Sequence, residues 1–404
     1  MKSLRELYRI GHGPSSSHTM GPRFAAQRYL GRHRSAAAFR VTLYGSLAAT
    51  GKGHLTDVAL TDVLGPGLEI MWHPEIKPDF HPNGMKFEAE EAPGVWADPW
   101  TVYSVGGGAL AEEGEDSCET PEVYEMQSLT EIQDWCAARG KSYWEYVEER
   151  EGAGIWDYLS EVWEKMSAAV ERGLVNEGVL PGVLHLRRKA PDYYIKANSF
   201  GPSLQTRGLV FAYALAASEE NAGGGEIVTA PTCGSCGVVP AVLYHLERSR
   251  HFSRTRMLHA LAVAGLIGNV CKSRGSISGA ECGCQAEVGS ACAMAAAAAS
   301  YLFGGTLQVI EYSAEMGLEH HLGMTCDPVC GLVQIPCIER NAHAAARALD
   351  ANIYSTFANG LHRVSFDKCV DVMKDTGRDL PSVYRETSEG GLAKDFQRYR
   401  KIAH

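Results

Sequence analysis

The sequence predicts an α+β N-terminal domain followed by a mostly α-helical C-terminal domain, on three observations. Before about residue 111, two runs alternate apolar and polar side chains and end in glycine, FRVTLYGS at 39–46 and WTVYSVGGG at 100–108. From residue 127 onward, apolar residues recur at helical spacing in nearly every segment. Between them lies EEGEDSCETPEVYEM, 112–126, an acidic run with neither period. The expected boundaries are an α+β domain over 1–111, a linker with connecting helices over 112–165, and a helical domain over 166–404.

Each element has its own signal. Phe39, Val41 and Leu43 alternate with Arg40 and Thr42, which suits a strand with one buried face. RFAAQRYLGRH, 23–33, predicts a helix, with Pro22 suited to its first position because a proline there forfeits no hydrogen bond. Further on, LTEIQDWCAARG, YWEYVEEREG, IWDYLSEVWEKMSAAVERGL, LVFAYALAASEE, AVLYHLERSR and MLHALAVAGLIGNV all read as helices. The uncharged stretch 288–310, VGSACAMAAAAASYLFGGTLQVI, is long enough for a bilayer but is mostly Ala, Gly and Ser. It predicts a closely packed interior helix and no membrane association.

Composition narrows the function class. The chain has 404 residues, 45% of them apolar, enough for a large core. Its formal net charge is −10 with no basic block, so the electrostatic footprint of a nucleic-acid binder is missing and small molecules are the expected partners. The N-terminus alternates charged and apolar residues without the apolar run of a secretory signal, so a cytoplasmic location is expected. In that compartment twelve cysteines, ten of them beyond residue 230, favour metal or redox chemistry over disulfides.

Three cysteine groups stand out: Cys233 and Cys236 in APTCGSCGVVP, Cys282 and Cys284 in SISGAECGCQAE, and Cys326, Cys330 and Cys337 in HLGMTCDPVCGLVQIPC. Their spacing fits neither a zinc ribbon nor a compact ferredoxin run. Spacing alone leaves open whether they fill space in a core or bind metal from separate loops. Cys326 precedes Asp327-Pro328, Cys337 follows Pro336 and Cys284 follows Gly283. Such chain breaks free backbone amides to tune an iron–sulfur centre. Three thiolates would leave one iron of a four-iron cluster open as a Lewis acid.

Three polar stretches precede them. GHGPSSSHTMGP, 11–22, concentrates Ser15, Ser16, Ser17, His18 and Thr19 between two Gly-Pro breaks. This donor-rich turn suits a carboxylate or phosphate; the plainer alternative is a turn with a helix cap. TGKGHLTD, 50–57, departs from the phosphate-loop order, and His54 is either a solvated loop residue or a neutral imidazole placed as a base. HPNGMKF, 81–87, offers His81 and Asn83 in a tight turn, where structural roles are the default.

Taken together, these motifs resemble the iron–sulfur L-serine dehydratases, also called L-serine deaminases or ammonia-lyases. GPSSSHTMGP, YGSLAATGKGHLTD, HPNGM, YSVGGG, APTCGSCGVVPAV, SISGAECGCQAEVGSACAMAAA, EHHLGMTCDPVCGLVQIPCIERNA and YRETSEGGLA occur in the family's order over nearly the whole chain. The resemblance implies a β-type domain fused to an α-type domain with an oxygen-sensitive [4Fe-4S] cluster on Cys284, Cys326 and Cys337. It also implies His54 as base, His18, His81 and Asn83 near L-serine, Ser15, Ser16, Ser17 and Thr19 in its binding, and a homodimer acting in amino-acid catabolism and gluconeogenesis. Serine would lose water to give aminoacrylate, which hydrolyses to pyruvate and ammonia. Related eliminations on L-cysteine or L-threonine, or a non-catalytic redox sensor, are the alternatives.

Three departures from the pattern carry expectations. Only 23 residues separate GKGHLTD from HPNGM, so an allosteric insertion found in longer members is missing. The chain ends QRYRKIAH rather than in a cysteine tail, so the open iron is expected to be capped by water or substrate. Cys233, Cys282 and Cys330 stand where relatives carry other residue types and are expected to be dispensable as ligands.

Overall fold

A computed structural model describes residues 1–92, 94–114, 121–386, 390–394 and 396. Part of the acidic run with Cys118, Thr387 to Glu389 of the YRETSEGGLA motif, and the terminal QRYRKIAH lie outside the described residues. The chain divides into two compact units, Gly11–Glu119 and Met1–Ile10 with Thr120–His404.

The first unit is α+β. Its five-stranded sheet runs Glu69–His73, Phe39–Tyr44, Gly84–Ala92, Val95–Ser104, Leu110–Ala111. The first two strands are parallel, with Arg40 opposite Glu69, and the other pairs are antiparallel, with Val41 opposite Phe87. Parallel neighbours need a crossover, and helices Gly45–Thr50 and Thr56–Leu64 provide it. The first of these replaces the simple glycine turn expected after the strand, so His54 follows a helix rather than a strand end. Alternation along the strands puts Val41, Leu43, Met85, Phe87 and Val102 on the buried face. Ala25, Ala26 and Tyr29 of helix Gly21–Arg32 cover them, with the rings of Tyr29 and Trp100 stacked 6.0 Å apart. Pro22 lies in the first turn of that helix.

The second unit is mostly helical. At its centre, Ser290–Leu302 is buried along nearly all its length, the outcome expected for a helix apolar all round. Helices Val238–Arg250, Arg254–Arg274, Leu307–Glu319 and Cys337–Phe357 pack around it. Its small side chains let backbones approach: a Cβ on Gly317 would lie 2.9 Å from Ala293 Cα. Gly304 and Gly305 break the uncharged stretch after 13 helical residues, and among the described residues no helix is long and apolar enough to cross a membrane.

The first ten residues pack into this helical unit. Leu4, Leu7 and Tyr8 are fully buried there, and the Tyr8 hydroxyl donates to Leu261 O at 3.0 Å. Helix Leu129–Arg139 begins with a distant cap: the buried Asp367 carboxylate accepts from Leu129 N at 2.8 Å, Thr130 N at 2.9 Å and the Thr130 hydroxyl at 2.6 Å. An anion at a helix N-terminus is favoured by the orphan amides and the helix dipole.

Candidate functional site

In the N-terminal unit, the serine-rich turn winds into a one-turn π-helix, Ser16–Met20, capped by Ser15. Ser15 Oγ accepts from His18 N at 3.2 Å and lies 3.3 Å from Ser17 Oγ. Both nitrogens of His18 are engaged, Nδ1 with Ser17 Oγ at 2.9 Å and Nε2 with Ser46 Oγ at 3.0 Å. Thr19 Oγ1 accepts from Ser15 N at 3.1 Å and donates to His54 O at 2.7 Å, so that hydroxyl ties the turn to the histidine loop. Thr56 Oγ1 donates to His18 O.

The turn thereby meets His54. The rings of His18 and His54 lie 4.7 Å apart, tilted by 34°. Thr50 O is 3.1 Å from His54 Nδ1. A carbonyl only accepts, so the neutral imidazole carries its proton on Nδ1 and keeps its lone pair on Nε2. Burial pushes the His54 pKa down to about 4, against the bond to Thr50. Burial, then the neighbouring His54, lowers His18 well below the ordinary imidazole value; the bond at Ser46 opposes this and His81 adds to it. Burial thus keeps two histidines neutral side by side.

The His81 loop is held against the Ser46 turn. Gly45 has φ +50, and a Cβ there would lie 2.5 Å from Pro82 O, so only glycine admits this approach. Gly45 N donates to Ile76 O at 2.9 Å and Ser46 N to Pro82 O at 3.2 Å. Asn83 N donates to His81 Nδ1 at 3.1 Å, which puts the proton of neutral His81 on Nε2. Asn83 Nδ2 donates to Ser104 O at 3.3 Å, while the buried Asn83 Oδ1 and Ser104 Oγ have no hydrogen-bond partner among the described residues. A buried acceptor without a donor is costly, and a ligand's ammonium would satisfy it.

In the helical unit, three segments bring cysteines together. Gly283, at φ +74, turns the chain out of the short helix Gly279–Cys282, and Cys284 caps the π-helix Gln285–Gly289. A Cβ on Gly283 would lie 2.6 Å from Met324 O, two residues before Cys326. Gln285 Oε1 fastens the same loop by accepting from Gly323 N at 2.9 Å. Cys326 is in extended backbone, its N donating to Tyr384 O and its O accepting from Glu386 N, both at 2.8 Å. Cys337 is the first residue of helix Cys337–Phe357, held there by Asn341, whose Nδ2 donates to Cys337 O and to Gly234 O.

The ligand atoms of Cys284, Glu287 and Cys326 all lie within 4.8 Å of one another. Hydrogen bonding to Cys284, then burial, raises the Cys326 thiol pKa far above its usual value; burial, then Cys284, does the same for Cys337. Thiols that would be costly as isolated anions crowd around one point, and a metal that accepts their sulfurs removes that cost. Burial also raises the Glu287 carboxyl, against a 2.7 Å bond from Thr232 Oγ1. Burial, then Glu287, pushes Glu386 up to about 8. Two buried thiols and a carboxylate converge here, with the Cys337 thiol feeling the charge of Cys284 and Glu287, and sulfur donors of this kind suit iron–sulfur or zinc.

Cys282 faces helix Phe366–Asp379, where a Cβ on Gly377 would come within 2.6 Å of its sulfur. Cys330 sits half-exposed in a turn at φ +57, and Cys233 and Cys236 are buried neighbours in the segment whose Thr232 reaches Glu287. Glu287, Arg340, Thr232, Glu386 and Ser46 escaped the sequence reading. Glu287 and Arg340 each follow a cysteine by three residues, the spacing that puts two side chains on one helical face, and that was the available signal.

The family model of the serine dehydratase alpha chain matches residues 110–393, and that of the serine dehydratase beta chain matches residues 3–67. An L-serine dehydratase of Streptomyces coelicolor is 40% identical, the match covering 97% of this chain and 98% of the relative. The L-serine dehydratase TdcG of Escherichia coli is 38% identical over 97% of this chain and 99% of its own. An L-serine dehydratase of Helicobacter pylori is 35% identical over 98% and 99%. With both segments matched in order and full-length relatives at this identity, the chain belongs to the serine dehydratase family, its beta and alpha parts joined in one polypeptide.

Proposed function

We propose that the chain is an L-serine ammonia-lyase, converting L-serine to pyruvate and ammonia with a [4Fe-4S] cluster held by Cys284, Cys326 and Cys337. The observation that carries this reading is the convergence of the Cys284, Glu287 and Cys326 donors within 4.8 Å, with the Cys337 thiol feeling the charge of Cys284 and Glu287. It is supported by relatives named for this activity that match over nearly their whole length.

Elimination from serine needs help at both ends, because the Cα proton is weakly acidic and hydroxide leaves poorly. When bound, a cluster with one iron free of protein ligands supplies the Lewis acid that stabilises departing hydroxide. His54 supplies the base. Its low pKa keeps it neutral, and its Nδ1 bond to Thr50 leaves Nε2 to take the Cα proton. His18, fixed at both nitrogens by Ser17 and Ser46, keeps the His54 ring in place and its surroundings dry.

Asn83 Oδ1 accepts from the substrate ammonium, and His81 presents Nε2–H as a donor. Ser15, Ser16 and Ser17 bind the carboxylate, with Thr19 securing the turn to His54. The products are water and aminoacrylate, which tautomerises to an imine and hydrolyses to pyruvate and ammonia.

The test is an anaerobic assay of the iron- and sulfide-reconstituted chain on L-serine, L-threonine and L-cysteine, following pyruvate, 2-oxobutyrate and sulfide. Serine is expected to give the highest kcat/KM. A preference for cysteine would replace the substrate assignment, and a cluster with no ammonia released from any of the three would replace the enzyme by a sensor.

A further inference from the structure

We propose that Arg340 is the positioning residue of the metal centre, one guanidinium joining the segments that carry Cys326 and Cys337 and setting positive charge beside the centre. The inference rests on the cluster reading above.

Arg340 lies one turn beyond Cys337 on helix Cys337–Phe357, so the two side chains share a face. Its Nη1 donates to Thr325 O at 2.6 Å and its Nη2 to Asp327 Oδ1 at 3.1 Å, gripping the chain on both sides of Cys326. The same guanidinium feels the charge of Cys284 and of Cys337. A planar fork with five donors serves several acceptors in fixed directions, which an ammonium does not.

Asp327 is itself held. It is buried, and its second oxygen accepts from Leu392 N at 2.9 Å. Thr325 Oγ1 donates to Oδ1 at 3.2 Å. Arg340 is therefore the side chain through which a fixed carboxylate, the Cys326 loop and the Cys337 helix share one geometry. A cluster carried by three thiolates is anionic, and adding an electron makes it more so. A cation beside the sulfurs favours the reduced form and raises the reduction potential.

The full-length chain and its Arg340→Gln, Arg340→Lys and Asp327→Asn variants are reconstituted anaerobically. Iron and sulfide per chain, the rate of iron loss to a chelator, and the cluster midpoint potential are then measured, with circular dichroism as the check on folding. Arg340→Gln is expected to lose iron about 10-fold faster or more, the range for removing a partner of metal ligands, and to show a lower potential. Arg340→Lys is expected to keep the potential near wild type and still lose iron faster, because charge remains while the fork is gone. Asp327→Asn is expected to lose iron faster with Arg340 intact. If Arg340→Gln fails to fold, Arg340→Lys decides by the same readouts. A wild-type cluster with unchanged iron loss and potential in the folded Arg340 variants overturns this inference alone. A wild-type chain that takes up no iron and sulfide overturns the cluster reading and this inference with it.

Discussion

His54 Nδ1 lies 3.1 Å from the carbonyl oxygen of Thr50, four residues earlier, and this one bond decides which nitrogen of the imidazole is basic. With burial holding its pKa near 4 against an ordinary 6.5, His54 stays neutral across the physiological range. Turnover by a His54 base is therefore expected to persist below pH 6, where an ordinary histidine would be mostly protonated, and to fall as the pH approaches 4. A kcat/KM profile, with iron content checked at each pH, measures this. An acid limb near 6.5 would assign the base to another group. The sign for stability is the same: the unfolded state binds the proton first, so this contribution is complete above pH 6.5 and is lost as the pH falls through about 4. Its size is on the order of 3 kcal/mol.

Replacing the base separates chemistry from metal binding. His54→Gln is expected to keep the iron content of the wild type and to lose turnover by roughly 100-fold to 10,000-fold. Iron analysis beside the serine assay reads both. Full activity in this variant would transfer the role to His18 or His81.

The cysteines differ in kind. Cys337→Ala is expected to lose both iron and activity, whereas Cys330→Ala, altering a half-exposed turn residue, is expected to retain both. Iron per chain after anaerobic reconstitution distinguishes them, and a fall in the Cys330 variant would return that residue to the ligand set.

Gly283→Ala tests how closely two ligand segments must approach. Its Cβ would sit 2.6 Å from Met324 O at a backbone φ of +74, so the Cys284 and Cys326 segments must separate. Iron retention is expected to weaken by about 10-fold or more, with the helical circular dichroism intact. Wild-type retention would show that the loop relaxes without moving the sulfurs.

Asp367→Ala removes the acceptor for two amides and a hydroxyl at the start of helix Leu129–Arg139. Leu129 N is then left buried without an acceptor while the exposed Thr130 donors turn to water, an expected cost of about 1–2 kcal/mol, read as a lower urea midpoint at unchanged slope. Asp367→Asn, which keeps one carbonyl acceptor, is expected to lose less.

Much of this architecture was legible from period alone. The alternation of Phe39, Val41 and Leu43 announced a half-buried strand, and the apolar spacing beyond residue 127 announced the helices. The short helix Gly45–Thr50 was hidden because six residues beginning with glycine carry too little pattern to distinguish helix from turn. Placement of the first ten residues in the helical unit was equally hidden, since Leu4, Leu7 and Tyr8 show that they are buried but not against what. Motif resemblance pointed to Cys284, Cys326 and Cys337, but the carboxylates and the arginine around them come from segments up to a hundred residues apart. Only folding brings Glu386 next to Glu287, and no local spacing encodes that.

The bond from the Tyr8 hydroxyl to Leu261 O spans 253 residues, and it sets a timetable for synthesis. At about 5–20 residues per second, the ribosome makes the partner roughly 10–50 s after the tyrosine. Within that interval the whole Gly11–Glu119 unit is made, while Leu4, Leu7 and Tyr8 still lack helix Arg254–Arg274, against whose Gly265 and Gly268 they pack. Until then residues 1–10 can meet only earlier-made partners such as Tyr124, Glu151 and Tyr158, so their docking is completed late in maturation of the helical half.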